Sequence, residues 1–226
     1  MPFIDEHIQE LDQLDLAPLA PGKLHTLALR LLTDGLGSPV YIPVLVSKGA
    51  KEGPVLGLTA AVHGNELNGL DVIHTLFNEI LTPESQSGTV VGIPGVNVPS
   101  LLTQERFFID GMDLNRLFPG KPDGNRSEIY AHRFVTRALP QMRYLIDLHT
   151  ASFGRINSLY IRANLKHQET REISELLNAE ILVHNEAKDG TLRDAAEDLY
   201  DIKAITLEVG NPITFQERIV QRSLNG

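Results

Sequence analysis

The chain has 226 residues, of which 42% are hydrophobic and 22% charged, a balance that excludes a disordered segment and allows one domain with a substantial core. A formal net charge of −9 argues against nucleic acid or an anionic membrane as the main partner, since both need a basic face. With no cysteine, disulfides and thiolate metal sites are excluded, and any transition metal must use His, Asp or Glu.

The acidic start MPFIDEHIQELDQLDL lacks a signal-peptide pattern, and no apolar run approaches the roughly 18 residues of a membrane span, so a cytoplasmic location is expected. The apolar spacing predicts a short amphipathic helix over 5–16, stopped by the segment Pro18 to Gly22. Strand-like runs follow at 24–32 and 40–47, then a turn at Lys51-Glu52-Gly53-Pro54. A short apolar strand is expected over 55–62 and a helix over 67–80, with Leu70, Ile73, Phe77 and Ile80 on one face. Next come a strand at 89–96, a long Gly/Pro-punctuated loop at 101–124, a helix at 128–139 and a strand at 143–148. Strands at 158–161, 181–184 and 205–209 alternate with helices near 168–179 and 191–199. The last helix is expected to start near Thr214, where Glu217 three residues on suggests a capping box. This alternation indicates an α/β fold, a three-layer sandwich with a mixed, mainly parallel sheet flanked by helices.

In such sheets ligands bind beyond the carboxyl ends of the strands. Three polar clusters fall there. His63-Gly64-Asn65-Glu66 places an imidazole and a carboxylate three residues apart across a turn, with Gly64 expected to let the backbone turn sharply. His149 in Asp147-Leu148-His149 could complete a two-His, one-carboxylate set that leaves a fourth position for water, and Asp147 could brace a ligand histidine. Each piece has an ordinary structural reading as well: a surface loop for the first, a hydrogen-bonded strand end for the second. Glu208 lies within Ile205-Thr206-Leu207-Glu208-Val209, where alternation sets Thr206 and Glu208 opposite the apolar residues. A partly desolvated glutamate there suits a general base, or else a salt-bridged structural residue. In the long loop, Arg106 and Asp113-Leu114-Asn115-Arg116 could give an acidic protein local positive charge for an anion, or form surface ion pairs. His7, His25, His74, His132, His167 and His184 read as structural or surface residues.

The ordered set HGNELNG, RFFIDGMDLNRLFPG, DLHTA and LEVGNP closely resembles the succinylglutamate desuccinylase/aspartoacylase family of the zinc carboxypeptidase superfamily, over about 55–212. The FPGKPDG stretch looks more like its broad deacylase branch. The resemblance implies one zinc per chain at His63, Glu66 and His149, and a catalytic carboxylate at Glu208. It implies that Arg106 polarises the scissile carbonyl and that Asn115 and Arg116 hold a substrate carboxylate. The expected activity is hydrolysis of an amide in a small N-acyl amino acid, with a peptide-directed metallocarboxypeptidase or a non-catalytic, metal-stabilised binding domain as alternatives. Residues 1–226 would then form the catalytic domain, without the further C-terminal β-rich domain usual in the family.

Overall fold

The computed structural model describes residues 8–225. Nine strands form one mixed sheet: β1 (Gln9–Leu11), β2 (Lys23–Thr33), β3 (Pro39–Lys48), β4 (Lys51–Ala60), β5 (Ser87–Ile93), β6 (Tyr144–His149), β7 (Leu159–Ala163), β8 (Ile181–His184) and β9 (Lys203–Val209). Their spatial order is β1-β2-β3-β5-β4-β6-β9-β7-β8. The central strands β5, β4, β6 and β9 are parallel, while β3 joins β5, and β7 joins β9, in antiparallel fashion. Helices α1 (Asn68–Thr75), α2 (Val98–Leu101), α3 (Arg126–Ala138), α4 (Gln168–Leu176) and α5 (Leu192–Tyr200) lie between strands, and α6 (Glu217–Leu224) follows β9.

The sheet is buried on both faces. On one, Leu27, Leu29, Val44, Val91, Leu145 and Ala204 pack with Tyr130, Phe134 and Val135 of α3 and Ala195 of α5. On the other, Leu58, Ile146, Leu148, Ile161, Ile205 and Leu207 pack with Val72 of α1, Ile173 of α4 and Val220 of α6. The expected layered α/β sandwich is therefore present. Period-two alternation gives the first face a chemical gradient. Along β6 it reads Leu145, Asp147, His149, and along β9 Ala204, Thr206, Glu208. Both rows are apolar where α3 and α5 cover them and polar toward the carboxyl ends, where a cavity opens.

Four local expectations need correction. Within the predicted helix over 5–16, residues 5–7 lie outside the described part, and Gln9–Leu11 is a strand paired parallel with β2. Leu14 and Leu16 beyond it are buried in the core, so the apolar spacing there serves an irregular segment and not a helix face. The turn at Lys51 to Pro54 belongs to β4, whose pairing with β5 is irregular between Lys51 and Val55, a place where a strand tolerates proline. The helix expected over 67–80 is α-helical only to Thr75 and continues as a π-helical turn, Leu76–Ile80. The last helix begins at Glu217, not near Thr214, because Gln216 ties the segment down: its Oε1 accepts from Asn211 N at 2.6 Å and Asn68 Nδ2 at 3.1 Å. The capping box is instead at Asn125 and Glu128, opening α3.

Candidate metal centre and active site

His63 and Glu66 lie in the turn between β4 and α1, closed by Glu66 N donating to His63 O at 3.1 Å. Ala61, just after β4, has a φ of 51°, so the chain leaves the strand through a left-handed residue. Gly64 lies in this turn as expected, and its missing side chain matters for packing as well: a Cβ there would stand 2.2 Å from the carbonyl carbon of Ser100, so its bare backbone lets α2 pack against the turn. His149 ends β6, the next strand over from β4.

These placements bring the donor atoms of His63, Glu66 and His149 within 4.8 Å of one another, all three residues buried. Nδ1 of His63 stands 2.8 Å from Glu66 Oε1, and Nδ1 of His149 2.9 Å from Glu66 Oε2. The outer nitrogens are braced by carboxylates. His63 Nε2 donates to Asp113 Oδ1 at 3.0 Å, and His149 Nε2 donates to Asp147 Oδ2 at 2.7 Å. Asp147 also accepts from Thr59 Oγ1 at 2.7 Å. Burial alone would push the Glu66 carboxyl up, but the two imidazoles hold it well below the ordinary range. Burial likewise opposes protonation of His149, yet Asp147 and Glu66 raise its pKa well above the usual value. Burial would also raise Asp113, but His63 and Arg106 bring it down to about 2.

The donor set fits a metal ion. Buried Nδ1 of His63 has no hydrogen-bond partner among the described residues, although Glu66 Oε1 is so near. A nitrogen lone pair and a carboxylate oxygen at that distance, without a proton aligned between them, are two donors facing one point. Carboxylates behind both imidazoles are the usual support of histidine ligands.

Around this point lies a cavity of about 280 Å³ that collects the remaining sequence candidates. Arg106 Nη1 lies 3.1 Å from Glu66 Oε1 and its Nη2 3.3 Å from Asp113 Oδ2, so its guanidinium is held beside the centre. Asn115 lies in the 3-10 turn Leu114–Arg116, and its Oδ1 accepts from Leu192 N at 2.9 Å, tying the long loop to the start of α5. Arg116 is exposed on the cavity wall, with Nη1 donating to Asn115 O at 2.6 Å. Glu208 is the register partner of His149, and burial raises its pKa although His149 and Arg162 oppose the shift.

Several further lining residues are not among the sequence candidates. Arg155, Arg162, Lys188 and Arg193 join Arg106 and Arg116, and Asn157 and Tyr160 lie among them. Asn157 Nδ2 donates to Glu208 Oε2 at 3.1 Å and Arg162 Nη2 to Glu208 Oε1 at 2.6 Å. Alternation in Leu159-Tyr160-Ile161-Arg162-Ala163 was the available signal, since it sets Tyr160 and Arg162 opposite three buried apolar residues.

A sequence profile of the succinylglutamate desuccinylase/aspartoacylase catalytic domain matches residues 52–226. The chain belongs to this family. Among curated members, it is 38% identical to an N-alpha-acetyl-L-2,4-diaminobutyric acid deacetylase of Halomonas elongata over 112 residues, 49% of this chain and 32% of that protein. It is 25% identical to a succinylglutamate desuccinylase of Photorhabdus laumondii over 184 residues, 74% of this chain and 56% of the relative. The solved succinylglutamate desuccinylase/aspartoacylase of Rhodobacter sphaeroides superposes with a TM-score of 0.77 at 27% identity, covering 89% of this chain and 62% of that one. A product-bound ectoine utilization protein of Ruegeria pomeroyi superposes with a TM-score of 0.75 at 25% identity, covering 89% and 63%. The chain thus spans less than two thirds of the length of these family members. Among the described residues, no helix is long and apolar enough to cross a membrane.

Proposed function

We propose that this family member hydrolyses the amide bond of small N-acyl amino acids, using one zinc ion per chain held by His63, Glu66 and His149. The observation that carries this reading is the buried, carboxylate-braced His63–Glu66–His149 set, placed beside Glu208 in a cavity walled by basic side chains. Two imidazoles and one carboxylate are a common donor set of catalytic zinc. Zinc there supplies a Lewis acid for the carbonyl oxygen and lowers the pKa of water toward about 7.

The chain's own residues supply the rest. Glu208, buried and with a raised pKa, accepts the proton of the attacking water and returns it to the departing amine. Arg106, fixed by Glu66 and Asp113, donates to the oxygen that becomes negative. Arg116, with Asn115 anchoring its turn, grips the substrate carboxylate. The deacetylase and desuccinylase names of the relatives favour the same class of reaction. Metal analysis together with a screen of N-acyl amino acids against C-terminal peptides tests the proposal. Cleavage of peptides alone would assign the site to a carboxypeptidase, and zinc binding without any hydrolysis would leave a metal-stabilised binding domain.

A further inference from the structure

Holding a carboxylate in one orientation takes more than holding its backbone. Glu208 stands in register with His149, so pairing of β6 with β9 sets its Cα. Its side-chain torsions stay free beyond that point, and each oxygen needs a partner to be fixed. Oε1 takes Arg162 Nη2 at 2.6 Å, from a side chain that is 41% exposed. A long, exposed arginine is a loose tether, because it keeps many rotamers to lose. Oε2 takes Asn157 Nδ2 at 3.1 Å, from a much shorter side chain.

Asn157 is itself pinned. Its N donates to Asn211 Oδ1 at 3.0 Å, and at the other end of the same loop Ala151 N donates to Gly210 O at 2.9 Å. Both ends of 151–157 are thereby fastened to the segment that follows β9. Asn211 N donates to Gln216 Oε1 at 2.6 Å, and Gln216 N donates to Asn68 Oδ1 at 2.9 Å. Asn68 opens α1 just after Glu66, is fully buried, and donates from Nδ2 to Val209 O at 2.7 Å. A run of amides therefore joins the turn carrying His63 and Glu66 to the amide that faces Glu208. No link in it is charged. Arg162 opposes the rise in the Glu208 pKa that burial produces, whereas an amide orients a carboxylate without setting a charge beside it.

We propose that Asn157 is a positioning residue, whose amide fixes the orientation in which the Glu208 carboxylate receives the proton of the attacking water. This rests on the role given to Glu208 above. Misplacing such a group by about 1 Å can cost on the order of 10²-fold in rate.

The test uses the full zinc-loaded chain, with N-acetylglutamate, N-succinylglutamate and Nα-acetyl-2,4-diaminobutyrate as probes. Asn157→Ala should lower kcat by about 10–100-fold, the range of a lost charge-assisted hydrogen bond, while KM changes less than about threefold. Asn157→Asp keeps the shape but sets an acceptor and a like charge beside Glu208, so it should lose at least as much. In a Glu208→Ala background no carboxylate remains to be turned, and Asn157→Ala should then change kcat by less than about twofold. Every variant keeps the main-chain bond from residue 157 to Asn211, so the loop should stay in place. Near-normal kcat in Asn157→Ala, a mild effect of Asn157→Asp, or an equal loss in both backgrounds would each overturn the proposal. An equal loss would give the amide its role at Tyr160, its other neighbour.

Denaturant unfolding of the zinc-free chain gives a readout independent of turnover. Asn157→Ala should raise the unfolding constant about tenfold with Glu208 in place and markedly less in Glu208→Ala. If the wild type hydrolyses none of the probes, the deacylase reading falls. The unfolding cycle then decides alone whether Asn157 holds Glu208: coupling upholds it and additivity overturns it.

Discussion

Asp147 reaches His149 along its own strand, Oδ2 to Nε2 at 2.7 Å, because residues two apart in β6 share a face. That carboxylate fixes the ring so that Nδ1 points at Glu66. Asp147→Ala should weaken zinc affinity by about 10–100-fold, the range seen when such supporting groups are removed. Competition with a chromophoric chelator measures it. An unchanged affinity would mean that the ring is held by packing alone.

Zinc uptake should release protons. In the metal-free chain His149 lies between Asp147 and Glu66, which hold its proton more firmly than usual. A metal at Nδ1 must displace a proton from that ring, so about one proton should appear per zinc at neutral pH, and affinity should fall as pH falls. Calorimetry in buffers of differing ionisation enthalpy counts the protons. A count of zero would show that His149 is not a ligand.

Glu208→Gln keeps the shape of the side chain and leaves His63, Glu66 and His149 untouched. Zinc content should stay at one per chain while hydrolysis falls by at least ~10²-fold, since an amide cannot take the proton. Near-normal turnover would remove Glu208 from the chemistry.

Away from the centre, Glu197 on α5 has its pKa raised to about 7, chiefly by burial and further by Asp194 and Asp198, against the pull of Arg193. The folded chain therefore binds this proton more tightly than the unfolded chain does. The resulting stability is intact below pH 4.5, the ordinary glutamate value, and is lost as pH rises through about 7. Glu197→Gln should stabilise the protein at pH 8 by on the order of 1–2 kcal/mol and have little effect at pH 4. Denaturant melts at the two pH values provide the check, and equal effects at both would remove the titration as the cause.

The ends of the central strands were legible because each announces itself locally. An apolar run followed by His63, by Asp147-Leu148-His149 or by Glu208 tells where burial stops and chemistry starts, and parallel pairing of β4, β6 and β9 then sets those ends side by side. The wall contributed by β7 and α5 was harder. Arg162 reaches Glu208 only because β7 reverses direction and pairs antiparallel with β9, a pairing that no single segment encodes. Arg193 reads as an ordinary helix residue until α5 presses it between sheet and loop, and burial lowers its pKa. The N-terminal segment misled for a related reason: Gln9–Leu11 is a strand because β2 offers it an edge, not because of its own pattern.

The gradient along β6 and β9 also divides the site by stiffness. His149 and Glu208 face each other in register on neighbouring central strands, so backbone hydrogen bonds fix their separation. Arg116, Arg155 and Lys188 project from exposed connecting segments outside any strand. Local opening begins in such segments and reaches central strands last. The atoms that would move protons are thus mounted on central strands, and three of the cavity's basic groups on connecting segments. Loop replacements can alter what is bound while the metal donors and the base keep their spacing.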